Sequence, residues 1–254
     1  MNSFLNFGDK QTRLGAFLSE IAAPNLLRIY KACGLDYVII DCEHGYFDHS
    51  QVAALASVAN GIGLMAMVRV PSVSREHIQK VLDLGADAIL VPMTSTAEQI
   101  ERAVEYAKYF PMGKRGVSTM RPHSEYNPGD LRDYMHRANE RTMVFAQIET
   151  DEGVCNAEKI AAVSGVSGLF VGPNDLSVDY GTPGASATPQ MENAYRAVIA
   201  AAAAQGKPAG IITGNMKLIH HCEKLGMQLF SCNSEVGLLA KQIKSMIVDF
   251  DTKE

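Results

Sequence analysis

The chain switches between two hydrophobic periods from end to end. Val52, Leu55, Ala56 and Ala59 recur at i, i+3, i+4 and i+7, as do Ile100, Ala103, Val104 and Ala107. That is the apolar stripe of an amphipathic helix. Helix starts are legible beside such stripes: Asp48 with Gln51 and Thr96 with Gln99 read as capping boxes, and Thr188 precedes a proline at a first helical position. Between the helical stretches, one junction recurs as "CGLDYVII", "LGADAILV", "SGVSGLFV", "QGKPAGII" and "LGMQLFSC". A glycine closes a helix, a short turn follows, and an apolar strand begins. Strands are expected at 14–18, 37–42, 63–70, 88–93, 143–148, 168–172, 209–213 and 228–231. Eight strands alternating with helices predict an α/β fold, a (β/α)8 TIM barrel filling 1–254 as a single domain. An open dinucleotide-binding sheet is disfavoured, because no G-x-G-x-x-G follows the first strand.

One connection breaks the rhythm. Residues 110–141, containing "PMGKRGVSTMRPHSEYNPG", far exceed the usual loop of ~2–6 residues and read as a functional insertion or a subunit contact.

Composition narrows the function classes. With 47% hydrophobic residues, 20% charged residues and a net charge of −5, the chain has no electrostatic reason to bind nucleic acid or an anionic membrane. No apolar run approaches the ~20 residues a membrane span needs, and the N-terminal stretch lacks the pattern of a secretory signal. The five cysteines are odd in number and show no C-x-x-C spacing, so a reducing cytoplasm is expected rather than a disulfide or zinc framework. Cys42 is read as apolar filler.

Chemistry in such barrels sits at the C-terminal ends of the strands, so charged residues that end a strand are the candidates. The second strand runs into Asp41, Glu43 and His44; the third ends at Arg69; the fifth carries Gln147 and Glu149 two apart, on one face; the sixth runs through Gly172 and Pro173 to Asn174 and Asp175. Two carboxylates on neighbouring strands repel, and a divalent cation would relieve them through hard oxygen ligands. Glu149 and Asp175 are therefore metal-ligand candidates, against the plainer alternatives of pairing with Arg69 or capping a helix. His44 is either a structural histidine or a general base with Asp41 three residues away to orient it. Arg69 either neutralises an acid or holds a substrate oxyanion. The turn "VGPNDL" offers backbone N–H groups to a carboxylate. No strand ends in lysine, which argues against Schiff-base chemistry.

The segments "GLDYVIIDCEHG", "RVP", "GADAILVPM", "FPMGKRGVS", "QIET" and "GLFVGPNDLS" resemble, in that order, the HpcH/HpaI aldolases. The resemblance implies a metal-dependent lyase that splits a 4-hydroxy-2-oxo acid into pyruvate and an aldehyde. It implies Mg²⁺, Mn²⁺ or Co²⁺ on Glu149 and Asp175, substrate contacts from Gln147, Gly172, Pro173, Asn174 and Arg69, and His44 paired with Asp41 as base. Asp83 in "VLDLGAD" matches a family acid near a subunit contact. A homohexamer using the C-terminal helix is implied as well. Three departures stand out: Phe17 where a Trp is frequent, "CNSE" ending the eighth strand, and the aromatic pair Tyr46 and Phe47 after His44. All three, with the insertion, are expected where the aldehyde selects. Rival readings are a carbon–carbon lyase of CoA thioesters, with Lys114, Arg115 and Arg121 facing phosphates, and a non-catalytic 2-oxo-acid-binding protein.

Overall fold

The computed structural model describes residues 3–8 and 11–252. Eight parallel strands close into a barrel in chain order: β1 Arg13–Leu18, β2 Tyr37–Asp41, β3 Met65–Arg69, β4 Ala88–Val91, β5 Met143–Ile148, β6 Gly168–Val171, β7 Ala209–Ile212 and β8 Leu229–Ser234. Eleven α-helices are described: α1 Pro24–Ala32, α2 His49–Gly61, α3 Arg75–Asp83, α4 Ala97–Ala107, α5 Leu131–Arg141, α6 Asp151–Cys155, α7 Ala157–Ala162, α8 Pro173–Asp179, α9 Pro189–Ala204, α10 Met216–Leu225 and α11 Glu235–Asp251. The (β/α)8 expectation holds. Both capping boxes form: the Asp48 carboxylate accepts from the Gln51 N–H and the Thr96 hydroxyl from the Gln99 N–H, with each glutamine reaching back. Thr188 caps α9 ahead of Pro189.

Strand pleat divides the apolar residues into two cores. Outward residues such as Val38, Ile40, Val68, Ile89 and Val144 pack under the helices. Inward residues, including Tyr37, Ile39, Met65, Met67, Phe145 and Phe170, fill the barrel. Edge-on aromatic pairs close its lower half, Tyr37 against Phe170 at 6.5 Å and Phe145 against Phe170 at 5.6 Å between ring centres. The inward rows turn polar as they rise. Asp41 follows Tyr37 and Ile39, Arg69 follows Met65 and Met67, and Gln147 then Glu149 follow Met143 and Phe145. The register places Asp41 opposite Arg69 across β2 and β3.

The insertion lies at the other end. Helix α4 runs back from the top of β4, so residues 110–141 begin at the lower mouth, and α5 leads into the base of β5. It is tied down by buried polar groups. Lys108 Nζ donates to the Asn139 carbonyl at 2.6 Å, and the Tyr109 and Asn139 groups exchange hydrogen bonds of 2.7 and 2.9 Å. Helix α11 is the opposite case. After Glu235, all its residues but the half-buried Gly237 are exposed, and Val236, Leu239, Ile243, Met246, Ile247 and Phe250 form one apolar stripe along it.

Candidate active site

The polar tops of the strands surround an open cavity of about 510 Å³. Its wall includes Asp41, His44, Arg69, Gln147, Glu149 and the run Gly172 to Asp175, so nearly all the residues proposed from strand ends meet in one place.

Arg69 is 8% exposed and held from three sides. Nε donates to Asp41 Oδ1 at 2.9 Å, Nη2 to Asp41 Oδ2 at 2.7 Å, and Nη1 lies 3.0 Å from Glu43 Oε2. The Phe17 ring lies beneath its guanidinium at 4.9 Å and is a platform for the cation. Burial opposes the Arg69 charge, but the Asp41 hydrogen bonds and the charges of Asp41, Glu43 and Glu149 outweigh it and hold the group above its ordinary range. Three of the five guanidinium N–H groups are engaged, leaving two for a ligand.

Asp41 therefore has a different partner from the one its spacing suggested. Its carboxylate binds Arg69 and accepts from the backbone N–H groups of Glu43 at 3.0 Å and His44 at 3.3 Å. It fixes the turn that carries His44 and does not hydrogen-bond the imidazole, which is exposed in the cavity. That turn needs Gly45: a Cβ there would lie 2.2 Å from the Asp41 carbonyl oxygen.

Glu149 is 2% exposed. Oε2 accepts from the Met93 N–H at 2.9 Å and Oε1 from Gln147 Nε2 at 2.7 Å. Burial lifts its pKa to about 8; the Met93 hydrogen bond opposes that and Asp175 adds to it. Met93 reaches this position with a positive φ of 48°, for which the sequence carries no signal. Gly172 is required by close packing, since a Cβ would stand 2.2 Å from Glu149 Oε1. The Gly172 N–H is donated to the Ile148 carbonyl at 3.1 Å, and Pro173 has none. Of the "VGPNDL" turn only the Asn174 and Asp175 N–H groups are left for a carboxylate.

Among the described residues no cluster of three or more His, Cys, Asp or Glu side chains makes a complete metal cage. Glu149 and Asp175 nonetheless suit a hard cation that takes one or two protein carboxylates and fills its remaining positions with substrate oxygens and water. The raised Glu149 and the buried, unpartnered Gln147 Oε1 both indicate a site short of positive charge.

Other expectations need correcting. Phe47 is buried in the outer core and cannot meet substrate. Tyr46 stands off the cavity wall, its hydroxyl donating to the Glu20 carbonyl at 2.6 Å. The insertion is at the far mouth. Asp83 lies there too, paired with Arg115 at 2.7 Å, and within one chain does not reach the cavity. Arg115 is thereby committed and 5% exposed, a poor phosphate contact. In their place the wall holds Ser19, Glu20, Thr213 and Gly214, which sequence reading missed, beside Asn233 and Ser234 of "CNSE". Cys42 is half-buried filler, its thiol pushed up to about 11 by burial and then by Asp41.

The HpcH/HpaI aldolase/citrate lyase family model matches residues 13–241. The chain belongs to the HpcH/HpaI family. A 5-keto-4-deoxy-D-glucarate aldolase of Escherichia coli O6:H1 is 34% identical over 95% of this chain and 93% of its own length. The crystal structure of an HpcH/HpaI aldolase from Desulfitobacterium hafniense DCB-2 superposes with a TM-score of 0.90 at 31% identity, covering 96% of this chain and 94% of that one. A citrate synthase, SbnG, is 30% identical with a TM-score of 0.85 over 95% and 94% of the two chains. As an HpcH/HpaI aldolase the chain is a carbon–carbon lyase of a divalent-metal-dependent class that cleaves to pyruvate.

Proposed function

We propose that this HpcH/HpaI aldolase cleaves a 4-hydroxy-2-oxo acid to pyruvate and an aldehyde at the cavity between β1, β2, β3, β5, β6, β7 and β8. The observation that carries the reading is Glu149, a buried carboxylate raised to about 8, beside Asp175 and facing the clamped Arg69. Glu149 and Asp175 would hold Mg²⁺, Mn²⁺ or Co²⁺, which supplies Lewis-acid charge beside the C2 oxygen.

Cleavage removes the C4 hydroxyl proton, breaks the C3–C4 bond and moves its electron pair onto the C2 oxygen. His44, free in the cavity, takes the proton. The two uncommitted N–H groups of Arg69 face the charge that grows on oxygen, and the fork to Asp41 and the Phe17 platform keep them in place before it appears. Gln147 orients Glu149 through its amide N–H, and the Asn174 and Asp175 N–H groups would take the substrate carboxylate. Reprotonation at C3 releases pyruvate.

We also infer a homo-oligomer, a hexamer by family likeness. The exposed apolar stripe of α11 supports a second copy as its cover, and the same family likeness would put Asp83 near a subunit contact. The cysteines Cys33, Cys42, Cys155, Cys222 and Cys232 are all free, in keeping with a cytoplasmic enzyme; no described helix is long and apolar enough to cross a membrane.

Pyruvate release from oxaloacetate, which requires only the enolate-forming half of the site, is the direct test. It should need Mg²⁺ or Mn²⁺ and fall at least 100-fold in Glu149→Ala. Wild-type protein inert with every divalent metal would sink the pyruvate reading.

A further inference from the structure

The two sides of the cavity differ in chemistry. The wall from β2, β3, β5 and β6 carries Asp41, Arg69, Glu149 and Asp175. The wall from β7, β8 and β1 carries Thr213, Gly214, Asn233, Ser234, Ser19 and Glu20. On the reading above, the first wall takes the pyruvate half, so the second receives the aldehyde fragment.

That second wall is rich in hydroxyls and amides, and among the described residues it carries no lysine or arginine. Among the described lining residues the fixed cation is Arg69, already paired with Asp41 and Glu43; His44, on the β2 turn beside the Glu20 loop, is the proposed base. Its one charged member is Glu20. A dication on Glu149 and Asp175 would offset those two acids, and Arg69 offsets Asp41. Among the described residues of this wall no lysine or arginine offsets Glu20.

The loop that carries Glu20 is fixed. Glu235, 3% exposed at the start of α11, accepts with Oε1 from the N–H groups of Ser19, Glu20 and Ile21 at 2.9, 2.5 and 3.0 Å. The Tyr46 hydroxyl holds the Glu20 carbonyl from the other side. Glu20 therefore has its backbone pinned at both ends, and its exposed side chain stands on a rigid rim. On the neighbouring β8 end, Asn233 sits at a positive φ of 84° with its Oδ1 on the Ser234 N–H at 2.9 Å, leaving its Nδ2 group as a donor. The Thr213 and Ser234 hydroxyl oxygens accept from the N–H groups of Asn215 and Gly237, so each O–H can still donate.

We propose that this wall selects an uncharged, hydroxylated aldehyde and rejects one that ends in a carboxylate. Fragment hydroxyls would donate to Glu20 and accept from Asn233, Thr213 and Ser234. A terminal carboxylate would meet Glu20 as a like charge with no cation to compensate, which is discrimination by a repulsive element. The proposal rests on the aldolase reading and departs from the relative named for 5-keto-4-deoxy-D-glucarate, a dicarboxylate.

The matched probes are D-glyceraldehyde and tartronate semialdehyde, which differ by a CH2OH in place of a carboxylate. Condensation of each with pyruvate and Mn²⁺ gives two kcat/KM values, and oxaloacetate decarboxylation is assayed on the same protein. Glyceraldehyde should be favoured more than tenfold, and Glu20→Gln should cut that ratio at least fivefold. A wild-type ratio below tenfold, or a larger one that Glu20→Gln leaves standing, overturns the proposal while decarboxylation proceeds. Loss of decarboxylation instead would strike the aldolase reading beneath it.

Discussion

At the scale of single residues, Glu149 sets the terms. Its ordinary value is 4.5, and burial takes it to about 8, so the metal-free protein holds a proton there at neutral pH. On the proposal that Glu149 holds the metal, a bound cation would displace that proton. Apparent affinity for Mn²⁺ should rise about tenfold per pH unit from 6 toward 8 and then level off. Calorimetry in buffers of different ionisation enthalpy should find close to one proton released per cation at pH 7 and close to none above pH 9; equal release at both would exclude Glu149 as the ligand. Because the folded state binds this proton more tightly than the unfolded chain, metal-free stability should also fall as pH climbs from 4.5 toward 8. Gly172 belongs to the same few ångströms. In Gly172→Ala the new Cβ would have to displace Glu149 Oε1 from 2.2 Å, so Mn²⁺ affinity by calorimetry should drop at least tenfold while circular dichroism stays native. Asp41, Arg69, Glu149 and Asp175 were legible in the sequence, because a charge ending an apolar strand is conspicuous. Met93 was not, because only its backbone acts.

At the scale of elements, the site depends on how adjacent strands align. Asp41 and Arg69 are register partners across β2 and β3, and the fork between them requires a planar guanidinium. Arg69→Lys keeps the charge but loses the paired hydrogen bonds and the Phe17 stack. It should lower kcat for oxaloacetate decarboxylation about 100-fold with a smaller effect on KM, a split read from initial rates; a normal kcat would remove Arg69 from the chemistry. Strand positions are legible from apolar runs, yet those runs extend past the ladder, to 42, 70, 93, 172 and 213. There the chain leaves the ladder to fold over the mouth, and an apolar pattern does not register that departure. The eighth strand erred the other way, expected to stop at 231 but running to Ser234. Its polar top pairs irregularly with β1, Phe17 facing Ser234 after a shift in register. Polar residues in a strand look like a loop until a neighbour pairs with them.

At the scale of the whole molecule, α11 is the exposed feature. The other barrel helices bury apolar residues, but α11 leaves Ile243, Met246, Ile247 and Phe250 in solvent, Phe250 at 81%. A patch of this kind commonly has a partner surface over it, and a second copy is the cover proposed above. Light scattering with size exclusion should give an assembly larger than one chain, and the pair Ile243→Glu with Met246→Glu should reduce it to smaller species. A monomeric wild type would leave the stripe without a partner in solution.

By itself the sequence determined the alternation of strands and helices, their caps, the barrel they imply and the acids and arginine that crown the strands. Those features follow from local rules, the period of an apolar row and the chemistry of a chain turning, and a short window contains them. Tertiary structure alone decided which groups meet. Ring closure brings Glu235 onto the amides of Ser19, Glu20 and Ile21, with Ser19 216 positions away. Pleat direction sends Phe47 into the core and leaves Tyr46 to brace a neighbouring loop. The Asp41 carboxylate goes to Arg69 because register places the two side by side, although His44 is nearer in sequence. Such pairings depend on which strands are neighbours and how they are shifted, and no window of sequence carries that.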